Sequence, residues 1–216
     1  MAFIDTTNYA PELADEVRTM YGRQEAHYGY VPNYAKVFCH RPEMMGLWAQ
    51  LLSGAKRHMS KRHYELTTFA AAHALRSTLC ALAHGKALTE FFSSEDVQAM
   101  ARGKMPDSLS SAEVTMMTFA RDVARDATKV THGQIEQLKR HGFTDADIFD
   151  IAATAAARSF WTKVLDALGV EADTAFLEMD VDFRRAMTVG RPIDFLRRPV
   201  VEDLPAYAGY STEGLA

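Results

Sequence analysis

The amino-acid sequence predicts an all-α protein, folded as one domain of about nine helices. Alanine, leucine and methionine outnumber the β-branched residues over the 216 positions. Apolar residues recur at steps of three and four, and no long alternation of apolar and polar residues predicts a strand. The hydrophobic content of 48% is enough for one substantial core.

Start and stop signals place the helices of the first third. A helix begins near Pro11, with acidic residues in its first turn, and ends near Gly29. Residues 31–33 form a break, and Pro42 opens the next helix at its first position. Ser60 is the expected N-cap of a long, alanine-rich helix that follows it.

The stretch that follows has two interpretations. Ser77 or Thr78 is an N-cap that restarts the helix, or the helix that starts after Ser60 continues without a break. Both interpretations remain open from the sequence. Ser93 then begins a short helix that ends before residues 102–107.

The second half of the chain carries three capping pairs, in which a Ser or Thr is followed three residues later by an acid or an amide. The last pair opens a long helix to about Gly169. We expect a further helix within 176–190 and an irregular arm after it, because prolines and turn residues accumulate there. The predicted division is a helical domain over 1–170, with its motif core at 60–92, and a C-terminal helix and extended arm over 171–216. The three pairs are Ser110 with Glu113, Thr131 with Gln134, and Thr144 with Asp147.

Charge and composition exclude several classes of function. The net charge of −4 and the absence of clustered Lys and Arg argue against nucleic acid as a partner. No run reaches the roughly 18 apolar residues of a membrane span. The N-terminal sequence has no basic segment followed by an apolar one, so a cytoplasmic protein is expected. There the two cysteines, Cys39 and Cys80, would be reduced thiols.

Candidate chemistry centres on Cys80. On a continuous helix at about 100° per residue, His73, Ser77, Cys80 and His84 lie within roughly 60° of one another and form one stripe. If the helix restarts at Ser77, Cys80 becomes its third residue, where unpaired N–H groups favour a thiolate. A fold-back would also bring Glu65 close, so that a thiol, an imidazole and a carboxylate could handle protons together.

The same residues also fit a structure without chemistry. Cys80 is flanked by leucine and alanine, and cysteine is among the residue types most often buried in cores. A non-catalytic helical oligomer in which Cys80 is only packing therefore stays open. His58 and His63 are five positions apart, without the spacing of a helical metal site, and we expect neither a metal nor a cofactor.

The motif resembles that of the alkylhydroperoxidase D and carboxymuconolactone decarboxylase family. Glu65 is followed twelve residues later by Ser77-x-x-Cys80-x-x-x-His84, where the peroxidase branch has Cys-x-x-Cys-x-x-x-His. Flanking sequence within 28–170 is also similar to peroxidase-related members. The resemblance implies an all-α bundle that assembles as a dimer, trimer or hexamer. It also implies that Cys80 attacks peroxide, with His84 as its base through a water and Glu65 as proton relay.

This chain departs from the family at two motif positions. Ser77 stands where the family has its first cysteine, and Leu79 where it has a histidine between the cysteines. A Cys-x-x-Cys redox cycle is thus excluded. Cys80 would form a sulfenic acid resolved by Cys39 or an external thiol, or the site does non-redox acid–base chemistry, or its activity is lost. Cys39 equally fits simple packing, and Ser77 and His73 are supporting candidates.

These observations lead to one primary expectation. The chain is a thiol-dependent peroxidase-like oxidoreductase that reduces a small organic hydroperoxide at Cys80, with a thiol reductant as second partner. The main alternative is a decarboxylase-like enzyme in which His84 and Glu65 are acid and base.

Overall fold

The computed structural model describes residues 2–193, and this part of the chain contains helices and loops but no strand, which confirms the predicted all-α class. Four short 3-10 helices accompany ten α-helices. The α-helices are α1 (Ala14–Tyr28), α2 (Asn33–Val37), α3 (Pro42–Lys56), α4 (Lys61–Ala74), α5 (Thr78–Leu88), α6 (Ser94–Ala101), α7 (Ser111–Asp126), α8 (His132–Arg140), α9 (Asp145–Ala167) and α10 (Val181–Met187).

The predicted helix starts are confirmed by their hydrogen bonds. Ser60 and Ser93 each accept the backbone N–H three residues on, at 3.1 and 3.0 Å. The three predicted capping pairs all form reciprocal capping boxes. Gly29 ends α1 with a φ of 78°, a left-handed conformation that costs glycine little.

The helix count differs from the prediction in two places. A separate helix, α2, starts at Asn33, the last residue of the predicted break. The helix expected within 176–190 is two pieces, a 3-10 helix at Thr174–Glu178 and then α10, because Asp180 caps a new start by accepting the N–H groups of Asp182 and Phe183. Residues 191–193 are not helical. The rest of the predicted arm, 194–216, lies outside the described residues.

Helix α4 is the centre of the core. It packs against α5, α7 and α9, and its side chains from Tyr64 to Ala72 are all buried. A second core region surrounds Trp161 of α9, whose ring stacks on Trp48 of α3 at 3.8 Å and on Phe38 at 5.1 Å between ring centroids. Any polar residue on the middle of α4 is therefore removed from water.

The turn between α4 and α5 resolves the question that the sequence left open. Arg76 has a φ of 56°, so the helix breaks there, and Ser77 becomes the N-cap of α5. Gly190 lies across this turn: a Cβ at that position would be 1.7 Å from the carbonyl oxygen of Arg76. The close approach requires glycine and holds the end of the described chain against the start of α5.

Candidate active site

Glu65 of α4 and His84 of α5 form a buried pair. The Nδ1 atom of His84 is 2.7 Å from Oε2 of Glu65, and the two residues are 4% and 0% exposed. We assign the proton to Nδ1 because a carboxylate can only accept a hydrogen bond. The Nε2 atom of His84 is then left as a proton acceptor.

The surroundings of His84 favour its neutral form. Burial is the largest effect that lowers the pKa of its imidazole, and the charge of Arg158 lowers it further. The Glu65 carboxylate opposes both effects without reversing them. At neutral pH the imidazole is therefore a base that is ready to accept a proton rather than a cation.

Cys80 is the third residue of α5 and is only 3% exposed. Burial raises the pKa of its thiol, and the nearby Arg158 guanidinium offsets part of that effect. The expectation that the start of α5 would favour the thiolate is thus outweighed by burial. Within residues 2–193 no hydrogen bond joins Cys80 to His84; the polar neighbours of the thiol are Arg158 and Ser77.

Arg158 of α9 is the member of this cluster that sequence reasoning missed. It is 2% exposed, and its Nη2 atom donates to the Tyr64 hydroxyl at 3.3 Å. Burial opposes its charge, but Tyr64, Cys80 and Glu65 together outweigh burial and raise the pKa of the guanidinium. A sequence signal existed, because Arg158 continues a stripe of buried positions at helical spacing. Other members of this stripe are Ile151, Ala155, Thr162 and Leu165.

Ser77, the first supporting candidate, does lie beside the thiol. Its Oγ atom is buried and makes no hydrogen bond of ordinary geometry within residues 2–193. Its hydroxyl is nevertheless close enough to the Cys80 thiol and to the Asp166 carboxyl to lower the pKa of both groups. Oε1 of Glu65 and Nε of Arg158 are also buried without a partner in the same part of the chain. Such atoms commonly mark places where water or a ligand is accommodated.

The other two supporting candidates lie elsewhere. His73 belongs to α4, so the single stripe expected on a continuous helix is wrong, and its ring lies 4.4 Å from that of Phe69. Cys39 lies in the 3-10 helix Phe38–His40, is 0% exposed, and interacts with the Tyr21 hydroxyl. Both cysteines are free thiols, so no disulfide joins Cys39 to Cys80 in this structure.

The buried His73 predicts a loss of stability in acid. Burial lowers the pKa of its imidazole to about 4, from about 6.5 when unfolded. Below pH 6.5 the His73 imidazole is protonated in the unfolded chain but stays neutral in the folded chain. The free energy of unfolding therefore falls as the pH decreases towards 4. The shift corresponds to at most about 3 kcal/mol. We expect the free energy of unfolding of His73→Phe, measured with urea, to increase relative to that of the native protein by up to this amount as the pH is lowered from 7 to 4. Parallel pH curves would contradict this prediction.

Several cavities occur in the described part of the chain. One of about 400 Å³ lies between α1 and α3, and two of about 850 and 440 Å³ share a wall formed by Val170, Glu171, Asp173 and Thr174. The 440 Å³ cavity reaches Thr78 and Leu79, directly before Cys80, although Cys80 itself does not line it.

Within residues 2–193 no helix has the length and apolarity to cross a membrane, and no three His, Cys, Asp or Glu side chains are grouped as metal ligands.

Comparison with known proteins identifies the fold. No protein-family profile and no curated protein sequence matches this chain. It is similar to the solved alkylhydroperoxidase AhpD core of an uncharacterized peroxidase-related protein from Ralstonia eutropha JMP134, with a TM-score of 0.68 and 24% identity over 88% of this chain and 98% of the other. It is also similar to an uncharacterized peroxidase-related protein from Silicibacter sp. TM1040. The TM-score is 0.68, and the identity is 23% over 81% of this chain and 93% of the other.

A third similar structure has a different activity. It is the debrominase Bmp8, solved in complex with 2,3,4-tribromopyrrole as a variant with one cysteine replaced by alanine. Its TM-score is 0.63, with 15% identity over 82% of this chain and 92% of the other. Proteins of this shape thus carry more than one chemistry. The present chain has the fold of the alkylhydroperoxidase AhpD core.

Proposed function

We propose that this chain is a member of the alkylhydroperoxidase D-like family and a thiol-dependent peroxidase that reduces small organic hydroperoxides at Cys80. One observation carries the proposal. A thiol at the start of α5 lies beside a buried guanidinium, and His84, one turn later on the same helix, forms a buried pair with Glu65 of α4. The peroxidase-related neighbours of the same fold support it.

The oxidation step uses each of these groups. Nε2 of His84 takes the thiol proton through a water, and the Arg158 charge stabilises the resulting thiolate. The sulfur attacks the distal peroxide oxygen, the O–O bond breaks, and the alkoxide receives the proton back from His84. Glu65 holds the imidazole in the tautomer that this transfer needs. The products are an alcohol and a sulfenic acid on Cys80.

A thiol from solution restores the enzyme. The first thiol attacks the sulfenic acid to form a mixed disulfide and water, and a second releases Cys80 as a thiol with formation of the external disulfide. We favour an external reductant because Ser77 has no sulfur and Cys39 is buried in a different part of the fold, beside Tyr21. We place this reaction in the cytoplasm, where reduced thiols are abundant.

Access to the thiol needs a local opening, because Cys80 is 3% exposed. The 440 Å³ cavity at Thr78 and Leu79 supplies space next to the thiol-bearing turn. We infer that a local movement of this turn connects that space with the sulfur. The hydroperoxide would therefore be small.

A second candidate function rests on the His84–Glu65 pair alone. The pair is complete without Cys80, and its imidazole is neutral and oriented by the carboxylate, as a general base requires. This favours acid–base chemistry on a carbon substrate, such as lactone decarboxylation. The debrominase neighbour shows that the fold is not restricted to peroxides.

The direct test is to trap the oxidised sulfur. The native protein is treated with cumene hydroperoxide and then with dimedone, which labels sulfenic acids, and peptides are read by mass spectrometry. We expect an adduct at Cys80, and continuous loss of hydroperoxide when dithiothreitol is present. Absence of hydroperoxide loss, or an adduct at Cys39 alone, would reject the proposed mechanism.

We also propose that the protein is a homo-oligomer and that α3 contributes to its interface. Met44, Leu47 and Leu51 are 39%, 61% and 59% exposed and form one apolar stripe on this helix. Light scattering after size exclusion should give the mass of a dimer, trimer or hexamer. The double variant Leu47→Glu with Leu51→Glu should lower that mass, whereas Gln50→Glu should not. A monomeric native protein would refute the proposal, and an unchanged mass in the double variant would refute the role of α3.

A further inference from the structure

Asp173 is a buried carboxylate with half of its hydrogen bonding unused. It is the N-cap residue of the 3-10 helix Thr174–Glu178, yet its side chain does not cap that helix. Instead Oδ1 accepts the backbone N–H of Asn33 at 2.7 Å. Oδ2 is fully buried and has no hydrogen-bond partner within residues 2–193, and the whole residue is only 3% exposed.

A buried carboxylate oxygen without a hydrogen bond destabilises the folded state unless a donor is bound to it. Burial raises the pKa of Asp173 to about 6, against the opposing effects of the Asn33 N–H and of Lys36, so the group is still mostly ionised at pH 7.5. Lys36 does not supply the missing contact: its Nζ donates to the side chain of Asn33 at 3.0 Å, and within residues 2–193 no hydrogen bond reaches Oδ2 of Asp173. The charge of Asp173 is therefore only partly compensated.

Asp173 lines the cavity of about 440 Å³ described above, and this cavity is acidic. Asp166 adds a second carboxylate, against one cation in the described lining, Arg191. The guanidinium of Arg191 is partly engaged: Nη2 donates to the backbone oxygen of Asp166 at 2.9 Å and the group lies 5.0 Å from the ring centre of Phe3, while Nε makes no hydrogen bond within residues 2–193. A positively charged guest would be favoured over a neutral or an anionic one.

The rest of the wall is mixed, with the hydroxyls of Thr78 and Thr174 beside aliphatic side chains. Leu79, Leu177 and Ile193 contribute aliphatic surface to the same cavity. A cavity of this size, with partly apolar walls and a few fixed polar groups, is typical of sites for small organic molecules, which occupy roughly 300–1,000 Å³. The combination points to a guest with one cationic end and one hydrophobic end.

We propose that this cavity binds a small organic ammonium ion. Its N–H groups donate hydrogen bonds to Oδ2 of Asp173, and its hydrocarbon part packs against Leu79, Leu177 and Ile193. The site includes neither Glu65 nor His84, but it occupies the same cavity through which hydroperoxide would reach Cys80. The inference does not depend on the peroxidase proposal, because it concerns binding alone.

Isothermal titration of the full-length native protein at pH 7.5 tests the charge selectivity. The probes are benzylammonium, benzyl alcohol and benzoate, which share a ring and differ in charge. We expect saturable binding of benzylammonium at least tenfold tighter than binding of benzyl alcohol, and none of benzoate. Equal affinity for the ammonium and the alcohol, or no binding of the ammonium, would overturn the proposal.

Two matched variants then locate the site. Asp173→Asn keeps an oxygen for the Asn33 N–H but removes the charge, and should weaken benzylammonium binding at least tenfold. Asp107→Asn makes the same charge change at an exposed loop position and should bind as the native protein does. Equal loss in both variants, or none in Asp173→Asn, would contradict the assignment. If Asp173→Asn does not fold, the comparison of the three probes on the native protein decides the proposal alone.

Discussion

The Cys80→Ser variant is expected to lose all thiol-dependent consumption of cumene hydroperoxide. A serine hydroxyl is not oxidised by peroxide, and the only other thiol of the chain, Cys39, interacts with Tyr21 rather than with Arg158. Cys39→Ser is the matched control, because Cys39 is also a buried free thiol but interacts with Tyr21 instead. It should retain the native rate. The rates are measured as hydroperoxide loss in excess dithiothreitol.

Replacing the base separates the two candidate functions. His84→Gln keeps an amide that can donate to Glu65 but cannot take up a proton, so the peroxidase rate should fall by a factor of about 100. If the protein is an acid–base enzyme instead, Cys80→Ser should leave turnover of carboxymuconolactone intact while His84→Gln abolishes it. Hydroperoxide consumption that survives Cys80→Ser would remove Cys80 from the mechanism.

The elements of the fold were largely predictable because the signals that start helices are local. The side chain of Ser110 and the backbone of Glu113 meet within one turn, whatever the rest of the chain does. The break before α5 was harder to predict from the sequence. Ser77 makes no side-chain capping bond, and the left-handed Arg76 that ends α4 carries no glycine-like signal in the sequence.

The site was predictable only where helical spacing or the family motif reached it. Glu65 and His84 stand in the motif, and the turn at Arg76 folds α5 back so that the two side chains meet. Arg158 could not be paired with Cys80 in the same way, because its position depends on how α9 packs across α4. The burial of Cys80 was likewise a consequence of tertiary packing.

The second large effect concerns Arg158. Arg158→Met should slow the reaction of Cys80 with hydroperoxide at pH 7.5 by at least about tenfold, because loss of the positive charge raises the pKa of the thiol further. The same change removes an effect that lowers the pKa of His84. The pH profile of iodoacetamide alkylation of Cys80 should therefore move to higher pH. Arg158→Lys, which keeps a charge, should recover part of the rate.

The stability of the Arg158→Met variant distinguishes a role of Arg158 in the chemistry of Cys80 from a purely structural role. Within residues 2–193 Arg158 makes no salt bridge. Its replacement removes the hydrogen bond to the Tyr64 hydroxyl and the contact with the Trp48 ring, but it also relieves the burial of a charge, so the urea midpoint should fall only slightly. Arg125→Met, an exposed change of the same type on α7, should alter neither the rate nor the alkylation profile. A destabilised Arg158→Met with a native alkylation profile would show that the guanidinium holds the core together. A stable variant with a slow thiol would show that this buried charge is retained for the chemistry of Cys80.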